Sequence, residues 1–382
     1  MRMGNPFYLQ EVPVDAPFCN RKRELKELQS YAEGKANVVL FSPRRYGKTS
    51  LAKRIQKALS NKGAVALFAD FFGVASVDDV ASRLAKAVFV MTHKKDPLWK
   101  SALRAMKSFR PVLKPDPSGG VSLSVEPSGS GKSGLELLEE TMDSLREFVN
   151  ITKSLVHVAL DEFQEIVTLK EALQVEGIMR TQIQQQQASY FFIGSRRRIL
   201  LGIFNERQRP FFQSAINYPL KLLPSDELVE FIAEQFKKNR RKCTETTARK
   251  LASLTGFHPY YSQKLAFFVY ELSKTVTEEA VEQGIERLVL SEKPVFEAII
   301  QGLSPHQRLL LQALAKEATP KLLASGYIQK HGLGSVGGVQ HSSRQLEELD
   351  LIEKDEETGD WRPVDPILAV WLRMQMEEKL TR

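Results

Sequence analysis

Three short stretches carry residues able to act on a phosphate anhydride. The first is Ser42-Pro-Arg-Arg-Tyr-Gly-Lys-Thr-Ser50, which follows the apolar run Val38–Phe41 and opens a run with helical spacing at Leu51, Ile55, Ala58 and Leu59. Strand, tight loop and helix in that order make a phosphate-binding loop, because loop amides and the positive helix end face one point. In this reading Ser42, Pro43, Arg44, Arg45, Tyr46, Gly47 and Ser50 surround a triphosphate. Lys48 reaches the β- and γ-phosphates as a mobile point charge, and Thr49 sets its hydroxyl on Mg²⁺. Gly47 keeps a side chain out of the path of the backbone toward phosphate. The pattern G-x-x-x-x-G-K-[ST] is broken at its first Gly, where Ser42 and then Pro43 stand. A small residue and a preset turn still permit the loop. The alternative is an ordinary basic turn between a strand and a helix.

The second stretch is the apolar run Leu155–Leu160 ending in Asp161-Glu162. A carboxylate at a strand's carboxyl end lies where ligands bind in open α/β sheets. Asp161 is expected to hold Mg²⁺ directly or through water, and Glu162 to polarise the attacking water as general base. The alternative is a pair of solvated loop acids. The third stretch is Ser189–Gly194, ending in Ser195-Arg196. Ser195 is expected near the γ-phosphate or its water, and Arg196 near transition-state charge, with a solvated basic turn as the alternative. Arg207 and Arg209 are candidates to act in trans on a neighbouring subunit's nucleotide, with plain surface charge as the alternative. In Gly256-Phe-His-Pro-Tyr260 a turn joins two helices, and His258 or Pro259 is a candidate to pack on an adenine.

A second loop imitates the first. Gly129-Ser-Gly-Lys132-Ser133 also precedes a helix, which starts near Leu135. Its preceding run, Val121–Val125, alternates like an exposed strand, and Glu126 occupies the place of the first Gly, where a carboxylate repels phosphate. The loop at 42–49 is therefore the expected nucleotide site.

The elements that must position these residues can be read from periodicity. Short apolar strands at 37–42, 64–72, 155–160, 189–194 and 218–222 alternate with helices near 48–60, 77–91, 135–149 and 171–187, which implies a parallel sheet with helices on both faces. A basic helix precedes them, with Asn20 as its cap, after an extended arm containing Pro6, Pro13 and Pro17. A Pro- and Gly-rich insertion covers about 107–134. Beyond Pro224 the pattern is all-helical to about 301. From Ser304 three helices and a hairpin at Leu351–Arg362 outline a winged helix-turn-helix. Three domains are expected: 1–223, 224–302 and 303–382.

Bulk properties narrow the classes. The 382 residues are 42% hydrophobic and 26% charged, as in a soluble globular protein. No apolar run approaches the roughly 18 residues of a membrane span, and Met1–Pro6 lacks the apolar stretch of a signal peptide. The two cysteines, Cys19 and Cys243, have no metal-ligand spacing and fit a reducing cytoplasm. A net charge of +8, from 54 basic and 46 acidic residues, permits contact with nucleic acid.

Phe18-Cys-Asn-Arg21-Lys-Arg-Glu24-Leu25, the loop at 42–50, Leu160-Asp-Glu-Phe-Gln164-Glu165, Ile193-Gly-Ser-Arg196 and Gly256-Phe-His-Pro-Tyr-Tyr261 follow one another in an order that resembles the archaeal-type ATPases of the STAND class, relatives of the AAA+ proteins. The resemblance covers nearly the whole chain. It implies an α/β fold: an AAA+-like P-loop core with a parallel five-stranded sheet of order 5-1-4-3-2, a helical lid and a C-terminal winged helix. It implies ATP and Mg²⁺ as ligands, and Arg21 with the leading arm beside the adenine. It matches Phe257-His258-Pro259 to the family's Gly-x-Pro element, with Phe257 in place of Gly. Such proteins are nucleotide-driven switches or motors, often oligomeric.

Two functions are expected on this basis. The first is a Mg-dependent ATPase acting on or with DNA, through Lys237-Lys-Asn-Arg-Arg-Lys242 and a recognition helix near Gly337–Leu349 bearing Gln340, His341, Ser342 and Arg344. The second is an ATP-driven regulatory switch or oligomerising scaffold that binds a protein partner, a reading favoured by Glu347, Glu348 and Asp350 on that same helix.

Overall fold

A computed structural model describes residues 4–19, 21–92, 108–115, 121–129, 131–355 and 358–380. Contacts divide the chain into two compact units, one of Pro13–Ala16 and Arg21–Lys221, the other of Met1–Val12, Pro17–Asn20 and Leu222–Arg382.

The first unit is an α/β layer structure. Its strands are β1 (Val38–Phe41), β2 (Val65–Asp70), β3 (Phe109–Pro115), β4 (Val121–Pro127), β5 (Val156–Asp161), β6 (Ser189–Gly194) and β7 (Ile216–Pro219). Its helices are α1 (Lys22–Glu33), α2 (Lys48–Asn61), α3 (Val77–Thr92), α4 (Gly134–Ile151), α5 (Ala172–Gln184) and α6 (Arg197–Asn205), with a 3-10 turn at Phe163–Thr168. Five strands form one parallel sheet in the order β2-β5-β6-β1-β7. The β3–β4 pair is a separate antiparallel hairpin. With it set aside, the order is the expected 5-1-4-3-2 read from the opposite edge. Every residue of β5 and β6 is buried, as helices on both faces require, whereas edge strand β7 is largely exposed.

Register decides where the chemistry falls. Phe41 pairs with Gly194, and Leu160 with Phe192, so β1, β5 and β6 stop almost level. Ser42, Asp161-Glu162 and Ser195 therefore emerge along the carboxyl-terminal edge of the sheet, across its three central strands. That edge is pinned from behind by Phe163, Phe192, Phe204 and Phe211, whose ring centroids lie 4.8–6.0 Å apart. All four are buried, each contributing about 1.5–3 kcal/mol of transfer free energy. Inside the sheet, His157 is fully buried with Nε2 unpartnered, and burial pushes its pKa down to about 3, so it is neutral. On the outer side of α2, Arg54 donates to the carbonyls of Pro13 and Ala16, each at 2.8 Å.

Some elements differ from expectation. The Asn20 cap lies outside the described residues. Helix α1 starts at Lys22, with Arg21 before it in the left-handed region at φ 91°. The fifth strand sits two residues early, at Ile216–Pro219. The insertion contains a full hairpin, since β3 forms despite Pro111 and Pro115. The triplet Arg196–Arg198 opens helix α6 and is no simple turn.

The second unit is helical. It contains α7 (Ser225–Lys238), α8 (Glu245–Leu254), α9 (Pro259–Leu272), α10 (Glu278–Gln301), α11 (Pro305–Lys316), α12 (Ser325–Lys330), α13 (Val336–Glu348), the hairpin β8 (Ile352–Lys354) and β9 (Trp361–Pro363), and α14 (Pro366–Leu380). One apolar cluster runs from Leu228 in α7 to Leu372 in α14 and takes in Phe7 and Cys19 of the leading arm. Phe7 packs on Phe236 at 4.9 Å, and the Asn5 amide donates to Phe267 O. Helix α10 runs through Pro294 to Gln301, where the all-helical pattern was expected to stop. Ahead of α12, Thr319 bridges Trp361 and adds to the wing. Among the described residues no helix is long and apolar enough to cross a membrane.

Candidate active site

The loop from Ser42 to Gly47 joins β1 to α2 through two left-handed residues, Arg45 at φ 66° and Gly47 at φ 88°. Such alternation is how loop amides come to face one side as an anion nest. A Cβ on Gly47 would meet nothing within 4 Å, so the glycine is required here by its backbone angle. Helix α2 has no side-chain cap at its N-terminus. Its positive end is left for a ligand.

Lys48 is buried, and its ammonium rests on Ser42 O at 3.0 Å, Pro43 O at 2.9 Å and Ser42 Oγ at 3.2 Å. Three acceptors match the three protons of the ammonium. Ser42, the residue that breaks the usual pattern, thus supplies a hydroxyl that Gly would lack. Burial lowers the Lys48 pKa to about 8 against the pull of Glu162 and Asp161, with Arg197 and Arg44 adding to the lowering. Arg197 is a site residue that sequence reading missed, because α6 was not foreseen. Arg44 and Arg45 are exposed, while Pro43, Tyr46 and Ser50 are buried.

Thr49 Oγ1 donates to Asp161 Oδ2 at 2.6 Å, joining the loop to the acidic strand end. Burial raises the Asp161 pKa to about 6, and repulsion from Glu162 and Asp70 adds to it. Asp70 faces Asp161 across the β2–β5 register and is a second charge that sequence reading passed over. Glu162 turns out of the strand in the left-handed region at φ 49°, its N–H held by Asp161 Oδ1 at 3.0 Å. Its carboxylate accepts from Ser195 Oγ at 3.0 and 3.3 Å and from Gln164 Nε2. Lys48, Thr49, Asp161, Glu162 and Ser195 are therefore gathered at one place in the first unit.

Other expected residues are distributed differently. Arg196 is half-exposed and lies 3.8 Å from Glu165. Arg21 is buried, paired with Glu24 at 2.8 Å, and its Nη2 has no hydrogen-bond partner. Arg209 is tied to the fully buried Glu176 within its own chain. Breaking such a buried pair costs about 3–5 kcal/mol, so of the two arginines expected to act in trans only the exposed Arg207 stays available. His258 and Pro259 belong to the second unit. There His258 is buried and caps α9 through Nδ1, with Pro259 as the first helical residue. Ser342, expected on the outer face of the recognition helix, is instead buried and bonded to His306 Nδ1 at 2.7 Å. Gln340, His341 and Arg344 remain exposed.

The imitating loop is closed by its own side chains. Ser133 and Glu136 form a capping box at the start of α4. Lys132 pairs with Glu140, which also accepts from Ser108 N and Oγ.

These geometric features agree with comparisons to known proteins. A family model described as an ATPase domain predominantly from Archaea matches residues 18–265, well over half the chain. A second, described as a probable winged helix domain, matches residues 294–374. A search of curated proteins gave no match. Among solved structures, the Walker-type ATPase PABY2304 of Pyrococcus abyssi is similar with TM-score 0.65 and 16% identity, over 93% of this chain and 96% of that one. The ORC2 protein of Aeropyrum pernix, in ADPNP and ADP complexes, is similar with TM-score 0.57 and 14% identity, over 98% of each chain. The ORC1 protein of Aeropyrum pernix in complex with DNA is similar with TM-score 0.51 and 13% identity, over 98% of this chain and 96% of that one. At such identities the likenesses speak for the fold. The family match together with the loop and acidic pair shows that the chain belongs to the ATPase domain family found predominantly in Archaea, and that it is an ATPase with a winged helix domain.

Proposed function

We propose that the loop at 42–50 binds Mg-ATP, that Glu162 is the general base for its hydrolysis, and that the cycle is coupled to DNA. The observation that carries the site is the 2.6 Å bond between Thr49 Oγ1 and Asp161 Oδ2 beside the buried Lys48. A hydroxyl and a carboxylate are the hard oxygen donors Mg²⁺ takes alongside water and phosphate. Asp161, raised to about 6 mainly by burial, is a carboxylate short of positive charge, which fits a cation site. Bound Mg²⁺ would neutralise charge on the β- and γ-phosphate oxygens. Lys48 exchanges the carbonyls of Ser42 and Pro43 for phosphate oxygens. Glu162 takes the proton of the attacking water at its carboxylate, with Ser195 beside it and Arg196 as the neighbouring cation. The unpartnered Nη2 of Arg21 supports its expected place beside the adenine.

The DNA part rests on the second unit. Lys237, Lys238, Arg240, Lys242 and Lys274 are exposed, and Lys242 N bonds to Lys274 O, which gathers the end of α7 and the turn after α9 into one basic corner. Arg241 is held inward over the Tyr270 ring at 4.1 Å. One of the similar proteins was solved with DNA, which supports this reading. His258 and Pro259 as adenine contacts, a trans role for Arg207 in a homo-oligomer, membership of the STAND class, and a reducing cytoplasm that keeps Cys19 and Cys243 as thiols belong to the same proposal. A protein partner is the second reading. It is favoured by Val336, 49% exposed at the start of α13, and Leu349, 57% exposed just past its end.

Binding of labelled duplex and single-stranded DNA, measured over a salt series with an ATP analogue, decides between them. A DNA-linked ATPase gives an affinity that falls log-linearly with salt, with slope near −0.9 per phosphate on duplex. No binding at about 50 mM salt removes DNA and leaves the protein-partner reading.

A further inference from the structure

Gln164 stands two residues beyond Glu162, in the 3-10 turn Phe163–Thr168, and is only 1% exposed. Its Nε2 donates to Glu162 Oε2, on the same carboxylate that Ser195 holds. Its Oε1 is buried without a hydrogen-bond partner. An unmade buried hydrogen bond costs about 1–3 kcal/mol, so this amide is not placed for its own stability. The reverse orientation would set a carbonyl oxygen against a carboxylate, so the amide is locked with its N–H groups toward Glu162.

The depth of the amide is set by β6. A Cβ on Gly194 would lie 1.9 Å from Gln164 Oε1 and 3.0 Å from its Cδ. The last residue of β6 is bare where this side chain passes, immediately before Ser195. The start of the turn is fixed by Phe163, directly before Gln164, in the aromatic cluster, so the amide sits on a rigid element. A carboxylate offers about four lone-pair sites, and two fixed donors leave room for a water.

We propose that Gln164 is a positioning residue for ATP hydrolysis: its amide, seated against Gly194, orients the Glu162 carboxylate toward the attacking water. This rests on the reading of Glu162 as base. The test is a cycle of Gln164→Leu, Glu162→Gln and the double variant, read by single-turnover hydrolysis of radiolabelled ATP and by affinity for a fluorescent ATP analogue. Gln164→Leu is expected to lower kcat about ten- to a hundredfold, with ATP affinity and KM within about twofold of wild type. In the Glu162→Gln background the same change is expected to cost nothing further, because Gln164 acts through that carboxylate. Gly194→Ala, which displaces the amide without deleting it, is expected to reproduce the loss. Wild-type kcat in Gln164→Leu overturns the proposal, and so does an equal loss in both backgrounds, which marks a merely structural role. Should Gln164→Leu not bind the analogue, the isosteric Gln164→Glu takes its place, with the same two expectations and the same two overturning results. Undiminished turnover in Glu162→Gln alone is a different failure, since it moves the base elsewhere before Gln164 is touched.

Discussion

Two loops in this chain present Gly, Lys and a hydroxyl residue at the start of a helix, and they reach opposite chemical states. At 47–49 the helix end is uncapped, the lysine is buried on loop carbonyls, and the hydroxyl bonds to a carboxylate from another strand. At 131–133 the hydroxyl caps its own helix, Glu136 answers the positive helix end, and Lys132 is neutralised by Glu140. Ser130 of this second loop lies outside the described residues. The second loop satisfies the electrostatics of its helix N-terminus with its own anions, whereas the first leaves that end to a ligand. What makes a phosphate site is thus less the presence of Gly-Lys than the absence of an internal carboxylate from the helix start.

The strongest way to break this contrast is Lys48→Ala. It should weaken ATP affinity by at least about a hundredfold, roughly 2.7 kcal/mol, in a titration with a fluorescent analogue. Undiminished affinity would end the assignment of the loop. Next, Glu162→Gln should keep ATP bound while hydrolysis falls about 10²–10⁴-fold. Binding that fell together with turnover would show the carboxylate to be a ligand anchor instead.

Asp161→Asn sharpens the contrast through pH. The folded carboxylate titrates near 6, above its ordinary 3.8, so in nucleotide-free protein its contribution favours folding below about 4 and is lost as pH rises through 6. The variant should therefore melt higher than wild type at pH 7, by a margin on the order of 1–3 kcal/mol, and show little difference near pH 4. A margin independent of pH would mean Asp161 is not strained by burial. The second loop runs the other way, because the Ser133 backbone and hydroxyl hold Glu136 below its ordinary pKa. Ser133→Ala should lower stability by only about 1 kcal/mol in denaturant titration and leave ATP affinity alone. Any loss of nucleotide binding there would blur the distinction between the loops.

The sequence made the first site legible because its parts are local and periodic. An apolar strand, a loop of fixed spacing and a helix can be read in one window, and Asp161-Glu162 follows the same rule. The sheet order came from the resemblance alone, since strand neighbours are long-range facts. What escaped was also long-range. The buried Arg209–Glu176 pair joins the turn after α6 to α5, and His306 of α11 holds Ser342 of α13 inward. Helix α6 was hidden by its three leading arginines and by Gly202, which weakens helical spacing. Gln164 stood in plain view within a quoted motif, but nothing in its residue type told that Gly194 would be bare beneath it.

The leading arm carries a practical warning for anyone trimming this protein. Its first dozen residues lend Phe7 to the ring of Phe236, while a few positions later Pro13 and Ala16 occupy the guanidinium of Arg54. A start codon moved to Arg21, or a protease nick before it, would wet an aromatic side chain in one body and take two carbonyl acceptors from a guanidinium in the other. Poor expression of such a shortened version would follow from those two injuries, even with every catalytic side chain intact.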